Sequence, residues 1–417
     1  MKTFEILCVI AWRNLWRNHR RTLLTVGTIS GGLALLLVFF GLSDGSHHQM
    51  LRNAVQMGGA HVAVQARGYQ VTKAIELTVP FDRVASLASV LAGHGLGSAA
   101  VVPRVFASGL ASSSDGSTSV SLVGIDPQAE ARVSLLDDKI VAGDFFRGGA
   151  PNAVVIGQGV ARKLKIAPGD KFVLMAQGPG STDIQTLLVH VAGVVQSGVD
   201  DIDQLTVLVP LPTAQTLLML PGRIHQVGIV LADADQTARA AQVIRSSAGA
   251  EVEVLSWEDL MPGLRDLIRI DVAGLFIVDV IFFLIIAFLV MNTLLMSVLE
   301  RRREFALLDA VGLTPLRRFL LIMLEAGWVG IFSVVSGAIA GTIGHCYFRQ
   351  RGLPLYLFFE KGFSAAGTSV DPVIYSALAV SRVEVAMGLV FLLTVVLALV
   401  PAWKAATEAD AHLLGQA

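Results

Sequence analysis

The 417-residue chain is poor in charge, in aromatic residues and in cysteine. Charged residues make up 16% of it, aromatic residues 7%, and the formal net charge is −1. With no positive excess, and no dense basic stripe outside the ends of its apolar runs, the chain gives no hint of nucleic-acid binding, and no nucleic-acid partner is expected. Only Cys8 and Cys346 are present, neither with a second Cys or a His at metal-ligand spacing. On the topology argued below they lie toward opposite sides of a bilayer, so they read as unpaired small hydrophobes. The loops that mark common chemistries are missing too. No G-x-x-x-x-G-K-[ST] occurs, so the chain lacks the phosphate-cradling loop of an ATPase, and neither a G-x-S-x-G elbow nor an H-E-x-x-H helix is found. Gly178-Pro179-Gly180-Ser181-Thr182 has no Lys and reads as a turn. His47-His48 with His61 makes a poor chelate, because adjacent His residues seldom meet one ion with good geometry. Asp200-Asp201 and Asp203 lack the Gly and distal Glu of an EF-hand and read as a solvated acidic loop. No nucleophile–base pair stands out, and no cofactor or metal is expected on the chain.

What the chain has is apolar sequence. Hydrophobic residues reach 53% and the mean hydropathy is +0.65, beyond the range of ordinary soluble domains. A bilayer crossing takes roughly 20 apolar residues, and four segments meet that length: 21–45, 271–299, 319–347 and 385–403. The first carries no charge between 23 and 42. The second holds Asp279, the third Glu325 and His345, and Pro401-Ala402-Trp403-Lys404 closes the fourth. Between the first two lies 46–270, with alternating apolar patterns, Gly and Pro turns and mixed charge, as in a folded water-soluble domain.

Lys and Arg resist translocation. Arg13, Arg17, Arg20 and Arg21 precede the first span, and Arg301, Arg302, Arg303, Arg317 and Arg318 fill the connection 300–318. Both termini and that connection are therefore expected in the cytoplasm, with 46–270 and the loop 348–384 outside and 404–417 as an inner tail. The first apolar run exceeds the roughly 7–15 residues of a signal peptide, and no small-x-small site follows it, so an uncleaved anchor is expected. Residues 1–20 read as an amphipathic helix on the inner face, with Trp12 and Trp16 one turn apart at the interface.

Within 46–270, the alternation of His61-Val62-Ala63-Val64-Gln65 predicts a half-buried strand. Further strands are predicted over 100–107, 119–125, 153–156, 171–176, 187–195, 205–209, 223–231 and 251–255. Helices are predicted over 81–91, 159–164, 213–220 and 234–247. A β-rich lobe at 145–211, inserted into an α/β lobe built from 46–144 and 212–270, accounts for this order.

Polar residues inside spans normally face other helices or water. Asp279 is either buried for function or interfacial. Glu325 suits an ion pair with a neighbouring helix or a subunit interface, and Asn292 an interhelical hydrogen bond. Gly337-x-x-x-Gly341 permits close helix approach, within the subunit or between two subunits. The connection Glu300-Arg301-Arg302-Arg303-Glu304-Phe305, running to Gly312, reads as a charged cytoplasmic knob that a soluble partner could push.

That knob, with Met291-Asn292 before it, resembles the coupling segment of FtsX/MacB-type permeases of ABC transporters. Pro401-Ala402-Trp403-Lys404-Ala405-Ala406 resembles the motif closing their last span, and Trp12-Arg13-Asn14-Leu15 with Arg20-Arg21-Thr22-Leu23-Leu24-Thr25 their first. Leu122-Val123-Gly124-Ile125-Asp126 and 155–170 are similar to their periplasmic core. Asp309 departs from the family, which usually has a basic residue there. Asp44-Gly45, Gln49-Met50, Asn53-Ala54-Val55, Gly59-x-His61-Val62 and Gly68-Tyr69 look most like the lipoprotein-releasing LolC/LolE-type group. The resemblance implies an α-helical membrane protein of the bacterial inner membrane, with four transmembrane helices and an inserted α+β periplasmic domain of two lobes. It also implies two separate ABC ATPase subunits carrying ATP and Mg, and a second permease copy, identical or not. Lipoprotein or amphiphilic cargo and a periplasmic partner protein complete the implied set. Efflux of toxins or peptides, and control of cell-wall hydrolases, are the alternatives within the same family.

Overall fold

The apolar runs fold into helices longer than the runs themselves. The structure is a computed structural model describing residues 2–17, 19–146, 149, 152–181, 183–300, 312–355, 364–365, 368–369 and 372–407. Helix α1 covers Lys2–Arg17, α2 His19–Gln56, α3 Pro262–Glu300, α4 Pro315–Arg351 and α5 Val380–Thr407. Helices α2 to α5 are each long and apolar enough to cross a membrane. Helix α4 starts on Thr314 in extended backbone with Pro315 in its first turn, where the missing N–H costs nothing and the fixed φ suits the helix. It ends at Gly352, whose φ of 69° is open to glycine. Pro401 does not close α5: the helix runs through it to Thr407. The reason is packing, since Ala402 and Ala405 are buried with Val298 and Ile322.

The described chain divides into two compact units. The membrane unit holds most of the long helices, and its core draws Leu33, Leu36 and Leu37 of α2 together with Ile286, Val290, Ala326 and Val390. Helix α1 packs on α4 through Leu7, Ala11 and Leu321, with the Trp12 ring 5.1 Å from that of Trp328.

His48–Arg269 forms the bulk of the outer unit. Its main sheet has ten strands: β1 Val62–Ala66, β2 Ala100–Ser112, β3 Ser117–Ile125, β4 Ile140–Gly143, β5 Ala153–Gly157, β6 Lys171–Gln177, β7 Ile184–Val195, β8 Thr206–Pro210, β9 Gln226–Val230 and β10 Val252–Ser256. The order is β10-β1-β9-β2-β3-β8-β5-β7-β4, with β6 joining β2 to β7. Pairs β3–β8 and β5–β7 are parallel, and the others antiparallel. Strands from 145–211 bond directly to strands from 100–125, Leu110 to Met175 and Val123 to Leu208. One sheet thus runs unbroken through both expected lobes.

Side chains alternate across a strand, and the cores follow that rule. Val154, Ile156, Val207 and Val209 enter a large core with Leu87 and Ile244. Val155 and Leu208, one residue out of step, enter a second core with Ile125, Leu136 and Phe145. Burying each such side chain stabilises by about 1.5–3 kcal/mol. Because both faces are covered, β1 is fully buried rather than half-buried. Its polar ends bond inside: His61 Nδ1 accepts from Leu231 N at 3.1 Å, and Gln65 Nε2 donates to Gln226 Oε1 at 3.0 Å, while Gln65 Oε1 has no partner among the described residues. The acidic stretch Asp200–Leu205 is a short helix, not a solvated loop. The Asp203 carboxylate holds it in place, accepting from Ser197 N at 2.7 Å and Gly198 N at 3.0 Å.

Candidate functional site

The expected coupling knob is bracketed by structure on both sides. Glu300 ends α3, and its carboxylate lies 3.7 Å from Arg21 of α2. Gly312 has a φ of 94° and leads to the start of α4. Arg301, Arg302, Arg303, Glu304 and Phe305, with Asp309, lie outside the described residues.

About two turns from Glu300 along α3, at Thr293, the membrane unit assembles a polar cluster. Glu325 of α4 accepts from Asn14 Nδ2 of α1 at 2.6 Å. The two line a cavity of about 40 Å³ with Arg21, Thr22, Thr25 and Thr293, room enough for water against several polar groups. Residues of α1, α2, α3 and α4 all line the cavity, and the Asn14–Glu325 hydrogen bond joins α1 to α4. A carboxylate in hydrocarbon costs several kcal/mol unless it has such partners.

At the other end of the spans a second set of polar contacts appears. Asp44 of α2 pairs with Arg382 of α5 at 2.9 Å, and His47 Nε2 lies 2.6 Å from Asp271 of α3. His47 is thus engaged by a carboxylate, and among the described residues no group of three or more His, Cys, Asp or Glu could hold a metal ion. Asp279 is partly buried; its Oδ1 is shielded and has no hydrogen-bond partner among the described residues. The cation whose charge reaches it is Arg382. Asn292 is exposed on α3 and forms no interhelical bond among the described residues.

The glycine stripe of α4 has a defined neighbour. A Cβ on Gly341 would stand 2.8 Å from Leu37 Cδ1, and one on Gly337 3.0 Å from Leu33 Cβ. Both are too close, so these glycines let α4 lie against α2 within the subunit. Ser30 completes the seam, donating to Ser333 O at 3.1 Å and meeting Ser336 Oγ at 2.6 Å.

The outer unit has a buried ion pair that nothing in the sequence announced. Arg104 of β2 donates from Nε and Nη2 to the Glu130 carboxylate at 3.1 and 2.7 Å. Its Nη1 donates to Gly58 O and Gly59 O at 2.5 and 2.9 Å. Opposite charges 26 residues apart carry no periodic signal.

Two family models match the chain. The MacB-like periplasmic core domain covers residues 22–247 and the FtsX-like permease C-terminal covers 276–409. The chain is an ABC transporter permease of the FtsX/MacB type. The permease is similar to the lipoprotein-releasing system transmembrane protein LolC of Xylella fastidiosa (strain Temecula1), 22% identical over 95% of each chain. A LolC of Neisseria meningitidis is 25% identical over 54% of the permease and 55% of its own length. An uncharacterized ABC transporter permease of Mycobacterium tuberculosis is 29% identical over 54% of the permease, which covers only 26% of that protein. Among solved structures, the extracellular domain of the transporter YknZ from Gram-positive bacteria aligns at 19% identity and a TM-score of 0.33, over 47% of the permease and 99% of that chain. The periplasmic region of MacB from Actinobacillus actinomycetemcomitans gives 15% identity, a TM-score of 0.35, and coverage of 50% and 94%.

Proposed function

We propose that the permease is the non-catalytic, force-transmitting part of an ATP-driven machine that extracts lipoproteins or similar amphiphiles from the bacterial inner membrane. The observation that carries this reading is the continuity of α3. It runs from Glu300, at the edge of the charged knob, to Pro262 without a break, about 58 Å at 1.5 Å per residue. A push on Glu300 to Gly312 by a soluble motor would travel along such a rod. The Asn14–Glu325 and Arg21–Glu300 contacts would keep the neighbouring helices in step with it.

In this reading two separate ATPase subunits bind ATP and Mg, and a second permease copy, identical or not, completes the membrane part. Both termini and the knob face the cytoplasm. The outer unit is periplasmic, with 145–211 acting as a β-rich lobe within the continuous sheet, and meets cargo or a periplasmic partner protein. The names of the LolC relatives, lipoprotein-releasing system transmembrane proteins, support lipoprotein release as the task. The decisive test is Arg302→Glu combined with Arg303→Glu. The variant should insert and fold normally yet lose stimulation of the co-purified ATPase. Unchanged ATPase coupling would sink the assignment. Co-elution of acylated lipoproteins with the wild type would support the cargo, whereas an adaptor protein without lipoprotein would point to efflux.

A further inference from the structure

A cavity of about 400 Å³ opens in the outer unit, within the size range of small-molecule sites. It is walled by Gly59, Ala60, Lys73, Phe106, Gln226 and Met261, among others. Two of its walls sit at special places in the chain. Gly58 to Ala60 follow the end of α2 at Gln56, and Leu260-Met261 directly precede α3. An occupant would therefore touch the chain immediately beyond the outer ends of the two longest helices.

Lys73 is the charged side chain among the described residues that line the cavity. Its backbone is left-handed, with φ 51° and ψ 27°, a conformation costly for a residue with a Cβ and often kept where it positions a side chain. The ammonium lies 5.3 Å from the Tyr69 ring centroid and donates to Gln70 Oε1 at 2.7 Å. Both supports are fixed in turn. Tyr69 stacks on His225 with centroids 5.1 Å apart, and Gln70 Nε2 donates to Asp259 O and Leu260 O. Burial pushes the Tyr69 phenol up to about 12, so it stays neutral beneath the cation. Lys73 is exposed, and the Glu253 carboxylate acts on its charge without forming an ion pair among the described residues, so of the three donors of the ammonium the bond to Gln70 uses one. A pre-placed cation with spare donors, beside the apolar Phe106, Leu260 and Met261, matches one kind of ligand.

We propose that this pocket binds a small anionic amphiphile, its carboxylate or phosphate on Lys73 Nζ and its apolar part against Phe106, Leu260 and Met261. The site stands on the outer unit alone and does not depend on how the membrane unit is driven. Isothermal titration calorimetry of the full-length permease in detergent tests it, with hexanoate and hexyl phosphate as probes. Saturable binding of either probe is expected, and the tighter one identifies the headgroup. Lys73→Gln should weaken that binding at least tenfold, while Lys73→Arg should retain it. Ser108→Trp, at an exposed position on the cavity wall, should block the cavity and abolish binding. Neither change touches the core, so an unaltered melting temperature serves as the folding control. The proposal is overturned if neither probe saturates, if Lys73→Gln or Ser108→Trp binds like the wild type, or if hexanol binds as tightly as hexanoate.

Discussion

In the outer unit Val154, Ile156, Phe172 and Leu174 are at most 2% exposed, whereas Phe276, Ile277 and Phe288 of α3 stand 62–71% exposed. Polar groups are buried in both units. In the membrane unit Ser30, Ser333 and Thr394 are buried, and Thr394 Oγ1 bonds its own helix at Val390 O, 2.8 Å away. Among the described residues, the Asp, Glu, Lys and Arg side chains buried in the outer unit are those of the closed Arg104–Glu130 pair. Water drives apolar side chains inward in one unit, while lipid tails as apolar as leucine exert no such drive in the other. Helix association in the membrane must then come from close packing and hydrogen bonds, which is the role of Gly337, Gly341 and Ser30. The two units are therefore stable for different reasons, and single substitutions can separate them.

The largest effect is expected in the outer unit. Arg104→Ala strips the buried Glu130 carboxylate of two donors and leaves Gly58 O and Gly59 O without theirs. Removing one partner of a buried pair costs about 3–5 kcal/mol. Thermal unfolding of the full-length permease should show the outer transition lowered sharply and the membrane helices little changed. Replacing both partners, as Arg104→Met with Glu130→Leu, should recover much of the loss. If the single variant melts like the wild type, the pair does not hold the sheet to the Gly58–Gly59 turn.

The membrane unit should answer instead to volume. Gly341→Leu places a side chain where Leu37 and Ala34 already lie within 3.3 Å of a Cβ, and overpacking costs about 1–3 kcal/mol. Gly274→Leu is the control, since nothing stands within 4 Å of its Cβ. Denaturation in detergent should separate the two variants. Equal stability would place the α2–α4 seam elsewhere.

How far these contacts were legible in the sequence depends on their physics. The strands at 62–66, 153–157 and 206–210 announce themselves because β-branched and apolar runs bounded by turns have few other uses. Whether one face or both would be covered was not legible: the alternation of 61–65 suggested one, and in the structure all five residues of β1 are buried. Spacing alone marked Gly337 and Gly341 as an approach surface, and only the structure names Leu33 and Leu37 as what approaches. Glu325 could be picked out as a carboxylate needing a partner. That Asn14 supplies a donor follows from α1 packing on α4, which no local pattern encodes. Pro401 marked the close of the fourth span but not the end of its helix, since buried alanines lie in α5 past it.

An intermediate effect should follow pH, and only in the outer unit. Burial pulls the pKa of His61 and of His225 below the usual value. Phe106 N donates to His225 Nδ1 at 3.0 Å, which leaves Nε2 as the protonated nitrogen that donates to Ile75 O. Both rings are therefore held neutral. A depressed folded pKa means that the unfolded chain takes up the proton first. The stability these residues contribute is present above about pH 6.5, the unfolded value, and is lost as the pH falls through the depressed folded values. Each unit of depression is worth about 1.4 kcal/mol. The melting temperature should fall between pH 7.5 and pH 5, and His225→Asn should melt lower at neutral pH but with a shallower slope. A slope unchanged in that variant would shift the dependence to other groups.

The smallest effect on the subunit itself is expected at Asn292. Its amide is exposed on α3 and bonds to no described residue, so Asn292→Leu should change unfolding of the isolated subunit by no more than about 0.5 kcal/mol. A polar amide facing hydrocarbon gains from any partner, and an interhelical hydrogen bond in a membrane is worth about 0.6–1.7 kcal/mol. If α3 is the face that meets the second permease copy, the same substitution should weaken self-association several-fold in detergent while leaving the subunit's melting untouched. Were the subunit destabilised instead, Asn292 would belong to its own bundle and the free face of α3 would be smaller than the exposed apolar surface implies. Unchanged association would remove α3 around Asn292 from the interface and leave it to lipid, where its apolar side chains are already suited to stand.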